Sequence, residues 1–293
     1  EFQKRDLIDF DDYLPALFSE DEVYSVGCDV LPIGITWHDK YGDILDLENG
    51  LSYDKYDALV SDVCNGKDPI SETFNRDDYF LLLFNNSFDR FVSGNTVDLD
   101  NDDFKMLAEF ASTRSKTMQP DNDSFWFIKD AEYSMNGTFL FDNMQYDIPS
   151  GLPTYSGETA IRLTSQSSFA ISVSCPLLDE ACEFLTIAME SDESIRIDSI
   201  REEAINYMNE INWKLENYPE YFICPDEAGF DGSEIEEYIE LLKNADGFTK
   251  SDSDINVILV EEIQPYFAGD KTIEEVIPII ESRINLVLGE HGL

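Results

Sequence analysis

The segment VEEIQPYFAGDKTIEEV, residues Val260–Val276, joins two helical patterns near the end of the chain. Thr272 is followed three residues later by Glu275, a spacing that is typical of a capping box at a helix start. The helix that follows carries apolar side chains at helical spacing: Ile273, Val276, Ile277, Ile280, Ile284, Val287 and Leu288. Pro278 interrupts this pattern and predicts a kink or a broken first segment. We therefore expect a C-terminal part, from about residue 176 to residue 293, that is almost entirely helical.

Helix starts are also predicted upstream of that part. Ser52, Asn75 and either Asp100 or Asn101 precede stretches that combine early acidic residues with apolar stripes. A further helix is predicted over residues 178–190, with one apolar stripe made of Ala181, Phe184, Leu185 and Ala188.

Strand patterns lie between these helical blocks. Residues 124–128, 138–141 and 169–174 combine aromatic and β-branched residues with neighbouring turn signals. Ser233 and Glu236 form a second capping-box pattern where the C-terminal helices continue. Helix-rich flanks around a few short strands indicate an α/β chain.

The charge excludes several partners. The chain has 293 residues, with 62 Asp and Glu against 19 Lys and Arg, so its formal net charge is −43. Such a molecule repels nucleic acids and anionic membrane surfaces. Hydrophobic residues make up 43% and aromatic residues 13%, which is enough to build a core, so the chain is expected to be globular. A neutral or cationic solute suits this charge better than an anionic one.

Catalytic and metal-binding motifs are missing from the sequence. Only two histidines are present, His38 and His291, and no two of the five cysteines form a C-x-x-C pair. Acidic residues are so common that no pair identifies a catalytic site. Asp98, Asp100, Asp102 and Glu109 match four positions of a calcium loop, but Asp103 replaces the required glycine, so an acidic helix start is the favoured interpretation. We expect no metal and no cofactor.

One loop offers candidate binding residues. Residues 146–158 contain two prolines, two glycines and two tyrosines, so the loop is stiff enough to present an aromatic face to a ligand. Tyr155 in this loop, together with Trp126 and Trp37, can stack on a sugar ring. The alternative for each of these side chains is a place in the hydrophobic core.

Three segments together resemble the extracellular solute-binding proteins of carbohydrate-type ABC importers (family 1). Residues 50–56 resemble that family's "G-W-T-x-D-E-L" helix start, with Leu51 in place of the tryptophan. Residues 148–157 resemble its "G-[FY]-P-x-x-[DN]-G" loop and match at Gly151, Pro153 and Gly157. A strand and an "A-A-W-E-F" helix follow in the family, and Cys182 stands where its tryptophan would be. The third segment is Val260–Val276, followed by an "I-x-x-R" ending at residues 280–283.

The resemblance implies a periplasmic-binding-protein-like II fold: two α/β lobes that close on a solute, without catalysis. It implies ABC permease subunits as partners. It also implies an extracellular, lipid-anchored protein whose N-terminal segment, roughly a hundred residues or more, is missing here. Residues 1–293 would then comprise mainly the second lobe and parts of the first.

Two other functions stay open at the level of sequence. The first is a glycoside hydrolase that uses a pair of carboxylates. The second is a cell-surface scaffold that binds no solute. Acidic residues are too common in this chain for any one pair of carboxylates to identify a hydrolase.

Overall fold

A computed structural model of the protein describes residues 8–18, 25–38, 51–62, 66, 68, 70, 74–117, 133–135, 147–157, 161–172, 174–218 and 232–291. The chain divides into two compact units. Unit 1 comprises Glu1–Thr36, Asn136–Pro149 and Ala160–Phe248. Unit 2 comprises Trp37–Met135, Ser150–Thr159 and Thr249–Leu293.

Eight α-helices lie within the described residues. They are α1 (Tyr53–Asp62), α2 (Arg76–Asn86), α3 (Asp102–Ser112), α4 (Leu178–Ser191), α5 (Ile197–Asn217), α6 (Ser233–Lys243), α7 (Ser253–Phe267) and α8 (Ile273–His291). The strands are β1 (Ser25–Ile33), β2 (Ile35–His38), β3 (Val92–Ser93), β4 (Thr96–Val97), β5 (Tyr133–Met135), β6 (Asp147–Ser150) and β7 (Arg162–Ala170). Short 3-10 helices cover Phe10–Asp12, Pro15–Phe18 and Phe88–Arg90.

The strands form three small sheets. β1 pairs with β7 in antiparallel register, from Ser25 opposite Ala170 to Ile33 opposite Arg162. A three-stranded sheet has the order β5-β2-β6, and β3 and β4 form a hairpin. The predicted strand at residues 169–174 is wrong in position, because β7 spans Arg162–Ala170 and its register with β1 ends at Ala170. The predicted strands at residues 124–128 and 138–141 lie outside the described residues.

The core of unit 1 forms where three helices meet the β1-β7 pair. Val26 and Val30 of β1 and Leu163 of β7 pack with apolar residues of α4, α5 and α6. The helical contributors are Leu185, Met189, Ile200, Ala204, Ile235, Ile239 and Leu242. The backbone amide of Leu14 donates to the carbonyl of Ile195 (3.0 Å), which attaches the N-terminal 3-10 segment to this core.

The stripe predicted for α4 is confirmed only at Leu185. The buried side chains of this helix are Cys182, Leu185 and Met189, whereas Ala181 and Ala188 are half-buried and Phe184 is 65% exposed. Apolar residues occupy two sides of this helix, and the three buried residues lie about 100–160° around the helix axis from Phe184. Spacing alone could not tell which apolar side faces the core.

Unit 2 is built mainly from α1, α2, α3, α7 and α8. The predicted α3 stripe is confirmed, because Phe104, Leu107, Ala108 and Ala111 are buried. Phe80, Phe84, Phe91 and Phe104 form an aromatic cluster with ring centroids 5.1–6.4 Å apart. Such offset and edge-on ring pairs add stability beyond the burial of their area.

The C-terminal helices follow the sequence pattern closely. The side chain of Glu275 accepts from the amide of Thr272 (2.9 Å), as a capping box requires. Five of the seven predicted positions of α8 are buried: Ile273, Val276, Ile277, Ile280 and Ile284. The helix continues through Pro278 as one element, so a broken first segment is wrong. Within the described residues, no helix is long and apolar enough to cross a bilayer.

Candidate functional site

The site of interest in unit 2 is a loop at residues 151–157, which we call the 151–157 loop. Four of its backbone hydrogen-bonding groups are paired within the loop or with Leu51. The amide of Leu51 donates to the carbonyl of Gly157 (2.9 Å), and the amide of Thr154 donates to the carbonyl of Leu51 (3.1 Å). The amide of Gly157 donates to the carbonyl of Thr154 (3.3 Å), which closes the turn. The loop is therefore attached at its middle, Thr154, and at its last residue, Gly157, to Leu51, which lies two residues before α1.

The start of α1 is the support for this loop. Ser52 forms a parallel bridge with Thr154, and its carbonyl accepts from the amide of Tyr56 (2.9 Å). The hydroxyl of Ser52 accepts from the amide of Lys55 (3.3 Å), so Ser52 caps the helix as its sequence position predicts. Any displacement of the first turn of α1 would therefore move the backbone that holds the loop.

Tyr155 lies at the exposed tip of the loop. Gly151, Leu152, Pro153 and Thr154 are buried, whereas Tyr155 is 43% exposed. An aromatic ring that is held on a buried base and half open to solvent can bind the apolar face of a sugar. Ser156, the next residue in the chain, is also exposed and offers a hydroxyl.

Behind α1 lies a group of charged and aromatic side chains that we call the Arg114 cluster: Arg114, Phe110, Asp57, Asp68, Tyr53, Tyr56 and Tyr79. The guanidinium carbon of Arg114 lies 4.0 Å from the ring centroid of Phe110. Its Nη1 lies 3.1 Å from Oδ2 of Asp68, and its Nη2 donates to Oδ1 of Asp57. Arg114 thus combines two ion pairs with a cation–π contact.

The tyrosines of the cluster are deeply buried. The ring of Tyr53 stacks on Phe110 with centroids 4.2 Å apart, and the hydroxyl of Tyr56 donates to Oδ1 of Asp68 (2.7 Å). Burial raises the pKa of Tyr53, and it raises the pKa values of Tyr56 and Tyr79 well above 10. All three hydroxyls are therefore neutral at physiological pH.

The side chains of the other two predicted binding residues, Trp37 and Trp126, lie outside the described part of the structure. Trp37 belongs to β2, but its side chain is outside the described part of the structure. Trp126 lies in the range 118–132, which is also outside it. Among the three, the structure thus describes the surroundings of Tyr155 alone.

The segment that matches part of a calcium loop, residues 98–109, forms the start of α3 and carries two ion pairs. Asn101 caps α3 by accepting from the amide of Phe104 (2.9 Å). Asp100 pairs with Lys105 (2.6 Å), and Asp103 pairs with Arg90 (2.9 Å). In the described ranges, no three metal-ligating side chains converge on one point. This arrangement matches the acidic helix start that the sequence favours.

Sequence reasoning missed Arg114. Its partner Asp57 lies 57 residues earlier in the chain, and Asp68 lies in a separate segment, so no local spacing signals the pairing. The one available signal was the small number of basic residues, because the chain has only 19 Lys and Arg for 62 acidic residues. Arg114 follows α3, a helix whose apolar side is buried, so it is a candidate for an ion pair inside the protein.

Comparison with solved structures identifies the architecture. No protein-family model and no curated protein sequence matches the chain. It is similar to the cyclic α-maltosyl-1,6-maltose binding protein from Arthrobacter globiformis, at 14% identity and a TM-score of 0.53, over 98% of this chain and 79% of that one. It is similar to the sugar-binding protein MalE from Xanthomonas citri, at 12% identity and a TM-score of 0.54, over 99% and 78%.

A third similar structure is a de novo designed cysteine esterase, at 9% identity and a TM-score of 0.51, over 99% of this chain and 79% of that one. At such low identities these likenesses show a shared fold, and their activities are their own. The chain has the helix-rich, two-lobe α/β fold of periplasmic binding proteins, as the sequence resemblance predicted.

Proposed function

We propose that the protein is the non-catalytic, extracellular solute-binding component of an ABC importer and that its solute is a sugar or oligosaccharide. The observation that carries this proposal is the fold, which two sugar-binding proteins share over 98–99% of the chain. The 151–157 loop supports it independently, because it holds an exposed aromatic residue, Tyr155, followed by an exposed serine, on a hydrogen-bonded backbone.

The charge narrows the class of solute. A molecule with a net charge of −43 repels anions at long range, so uronic acids and sugar phosphates are poor candidates. We therefore propose a neutral oligosaccharide. Its ring would stack on Tyr155, while Trp126 and Trp37 are proposed as further stacking residues.

ABC permease subunits are the proposed partners, and the outer cell surface is the proposed location. Closure of the two lobes on solute is the expected signal to the permease. Attachment to the membrane through a lipid is part of the same proposal, and mass spectrometry of the protein from native membranes tests it.

A glycoside hydrolase is the weaker alternative. It needs a carboxylic acid with a raised pKa to protonate the leaving group. Glu236 and Glu274 have lowered pKa values, the first through its hydrogen bond with Arg201 and the second through a backbone amide. Neither is suited to that role. Incubation with chromogenic glycosides tests this alternative, and turnover that disappears on changing one carboxylate would replace the binding proposal.

Replacement of Tyr155 tests the proposed binding residue. We expect Tyr155→Ala to weaken the affinity for the best-bound sugar by about tenfold or more, because it removes the stacking surface. Tyr155→Phe keeps the ring and should stay within about threefold of the native affinity unless the hydroxyl also binds the sugar. Thermal shift across neutral oligosaccharides identifies the sugar, and calorimetry measures the two variants. Equal affinities for the native protein and Tyr155→Ala would remove Tyr155 from the site.

A further inference from the structure

The Arg114 cluster contacts the first two turns of α1 at three points. Tyr53 stacks on Phe110 (4.2 Å), Tyr56 donates to Asp68 (2.7 Å), and Asp57 pairs with Arg114. These three residues lie one, four and five positions after Ser52, which caps the helix and bridges to Thr154. The cluster is therefore connected to the 151–157 loop through a few residues of regular, hydrogen-bonded backbone.

Arg114 holds this cluster together. Its guanidinium is the group that joins the carboxylates of Asp57 and Asp68 to the face of Phe110. The Arg114 side chain is 11% exposed and that of Asp68 is 10% exposed, so the ion pair between them is poorly solvated. Loss of one member of a buried pair leaves the remaining charge without compensation, and the surrounding segments must then rearrange.

We propose that Arg114 is a positioning residue for the ligand-binding loop: by fixing the first turns of α1, it fixes the backbone that holds Tyr155 in its exposed position. This inference rests on the proposed function for its effect on affinity. Its structural part, the ordering of the loop, does not depend on any ligand.

The chain offers a closely matched control at Arg76. Its guanidinium also lies over a phenylalanine ring, 4.2 Å from the centroid of Phe267, and its side chain is likewise buried in unit 2, with 5% exposed against 11% for Arg114. It bonds to Gln264 of α7 (3.2 Å) and pairs with Asp77. Arg76→Met and Arg114→Met therefore make the same chemical change, but only the second acts on a residue that contacts α1.

Hydrogen exchange measures the ordering directly. We expect Arg114→Met to accelerate exchange of the amides of Leu51, Thr154 and Gly157 by about tenfold, because these amides hold the loop closed. Arg76→Met should destabilise unit 2 but leave these three amides within about threefold of native exchange. Arg114→Lys keeps the charge and one ion pair, so it should give an intermediate value.

Sugar affinity is the second measurement. With the best-bound neutral oligosaccharide as the probe, Arg114→Met should weaken binding by about tenfold and Arg76→Met should not. Equal effects of the two variants on exchange and on affinity would reduce Arg114 to an ordinary structural residue and overturn the proposal. If the native protein binds no sugar, the proposed function fails, and the exchange rates alone decide whether Arg114 orders the loop.

A milder variant covers the case in which Arg114→Met does not fold. Asp57 is half exposed, so Asp57→Asn removes one ion pair on the α1 side at little cost in burial. It should accelerate the same three amides by about threefold. Native exchange in this variant would contradict the proposal.

Discussion

At the scale of a single residue, Gly157 determines how the 151–157 loop closes. Its φ is +79°, in the left-handed region. Its amide donates to the carbonyl of Thr154, and its carbonyl accepts from the amide of Leu51. A side chain in that conformation is strained by about 1–2 kcal/mol. The glycine that the sequence matched to a family loop is thus required by backbone geometry.

We predict that Gly157→Ala lowers the free energy of unfolding by about 1–2 kcal/mol and also weakens sugar binding. Gly66→Ala is the matched control, since Gly66 has a φ of +82° and open space around it. It should cost similar stability and leave affinity unchanged. Urea unfolding and calorimetry measure the two quantities, and unchanged affinity in Gly157→Ala would mean that the loop does not contact the sugar.

At the scale of elements, caps explain why several helix starts could be predicted. Asn75 accepts from the amides of Asp77 (3.0 Å) and Asp78 (3.1 Å), and Asn101 does the same for α3 with Phe104. The second capping box failed, because α6 begins with Gly232 at the cap position and Glu236 pairs instead with Arg201 (2.9 Å). Local spacing could not predict this outcome, because the ion pair that engages Glu236 joins it to a residue 35 positions earlier in the chain.

The cap of α2 gives a prediction for one element. Asn75→Ala should lower the free energy of unfolding by about 0.5–2 kcal/mol, because two helix amides lose their acceptor. Asn75→Ser keeps a side-chain acceptor at the cap and places no second carboxylate beside Asp78, to which the Asn75 amide nitrogen donates (2.5 Å), so it should stay close to native. Denaturant midpoints followed by circular dichroism compare the variants, and equal midpoints for both would show that the cap adds no stability.

Strands were harder to predict than helices for a physical reason. β1 contains Gly27, Cys28 and Pro32, which break any alternation, and it is stabilised by its pairing with β7 about 130–145 residues away. β7 itself is rich in serine and threonine and does not stand out as apolar. Pairing between distant segments, and not local preference, forms this sheet.

At the scale of a whole unit, the buried tyrosines predict alkaline instability. Tyr53, Tyr56 and Tyr79 have raised pKa values when folded, chiefly through burial, so the folded state keeps protons that the unfolded state loses above pH 10.0. Stability is therefore complete below that pH and falls as pH rises. Each tyrosine contributes a slope of up to about 1.4 kcal/mol per pH unit.

Urea unfolding between about pH 9 and pH 11 measures this slope. Tyr56→Phe should make the slope shallower by up to about 1.4 kcal/mol per pH unit, since one titrating group is lost. Tyr155→Phe changes an exposed hydroxyl and serves as the control. A slope that is the same in the native protein and in Tyr56→Phe would contradict the burial of Tyr56.

For the whole molecule, the sequence predicted the architecture better than the site. Three segments together, Val260–Val276 among them, resemble a family whose fold the structure shares, and the helix cap within Val260–Val276 could be predicted because its two residues are close in sequence. Tyr155 could be proposed from its loop, but its support by Leu51 and α1 depends on contacts about 100 residues apart in sequence. Arg114 was missed for the same reason.

The central claim, that the protein binds a neutral sugar and leaves it unchanged, is tested most directly by calorimetric titration with maltotriose and other neutral oligosaccharides, followed by chromatography of the recovered sugar. We predict saturable binding of one sugar per chain and recovery of the sugar intact. No binding of any neutral oligosaccharide, or the appearance of shorter sugars, would contradict the account.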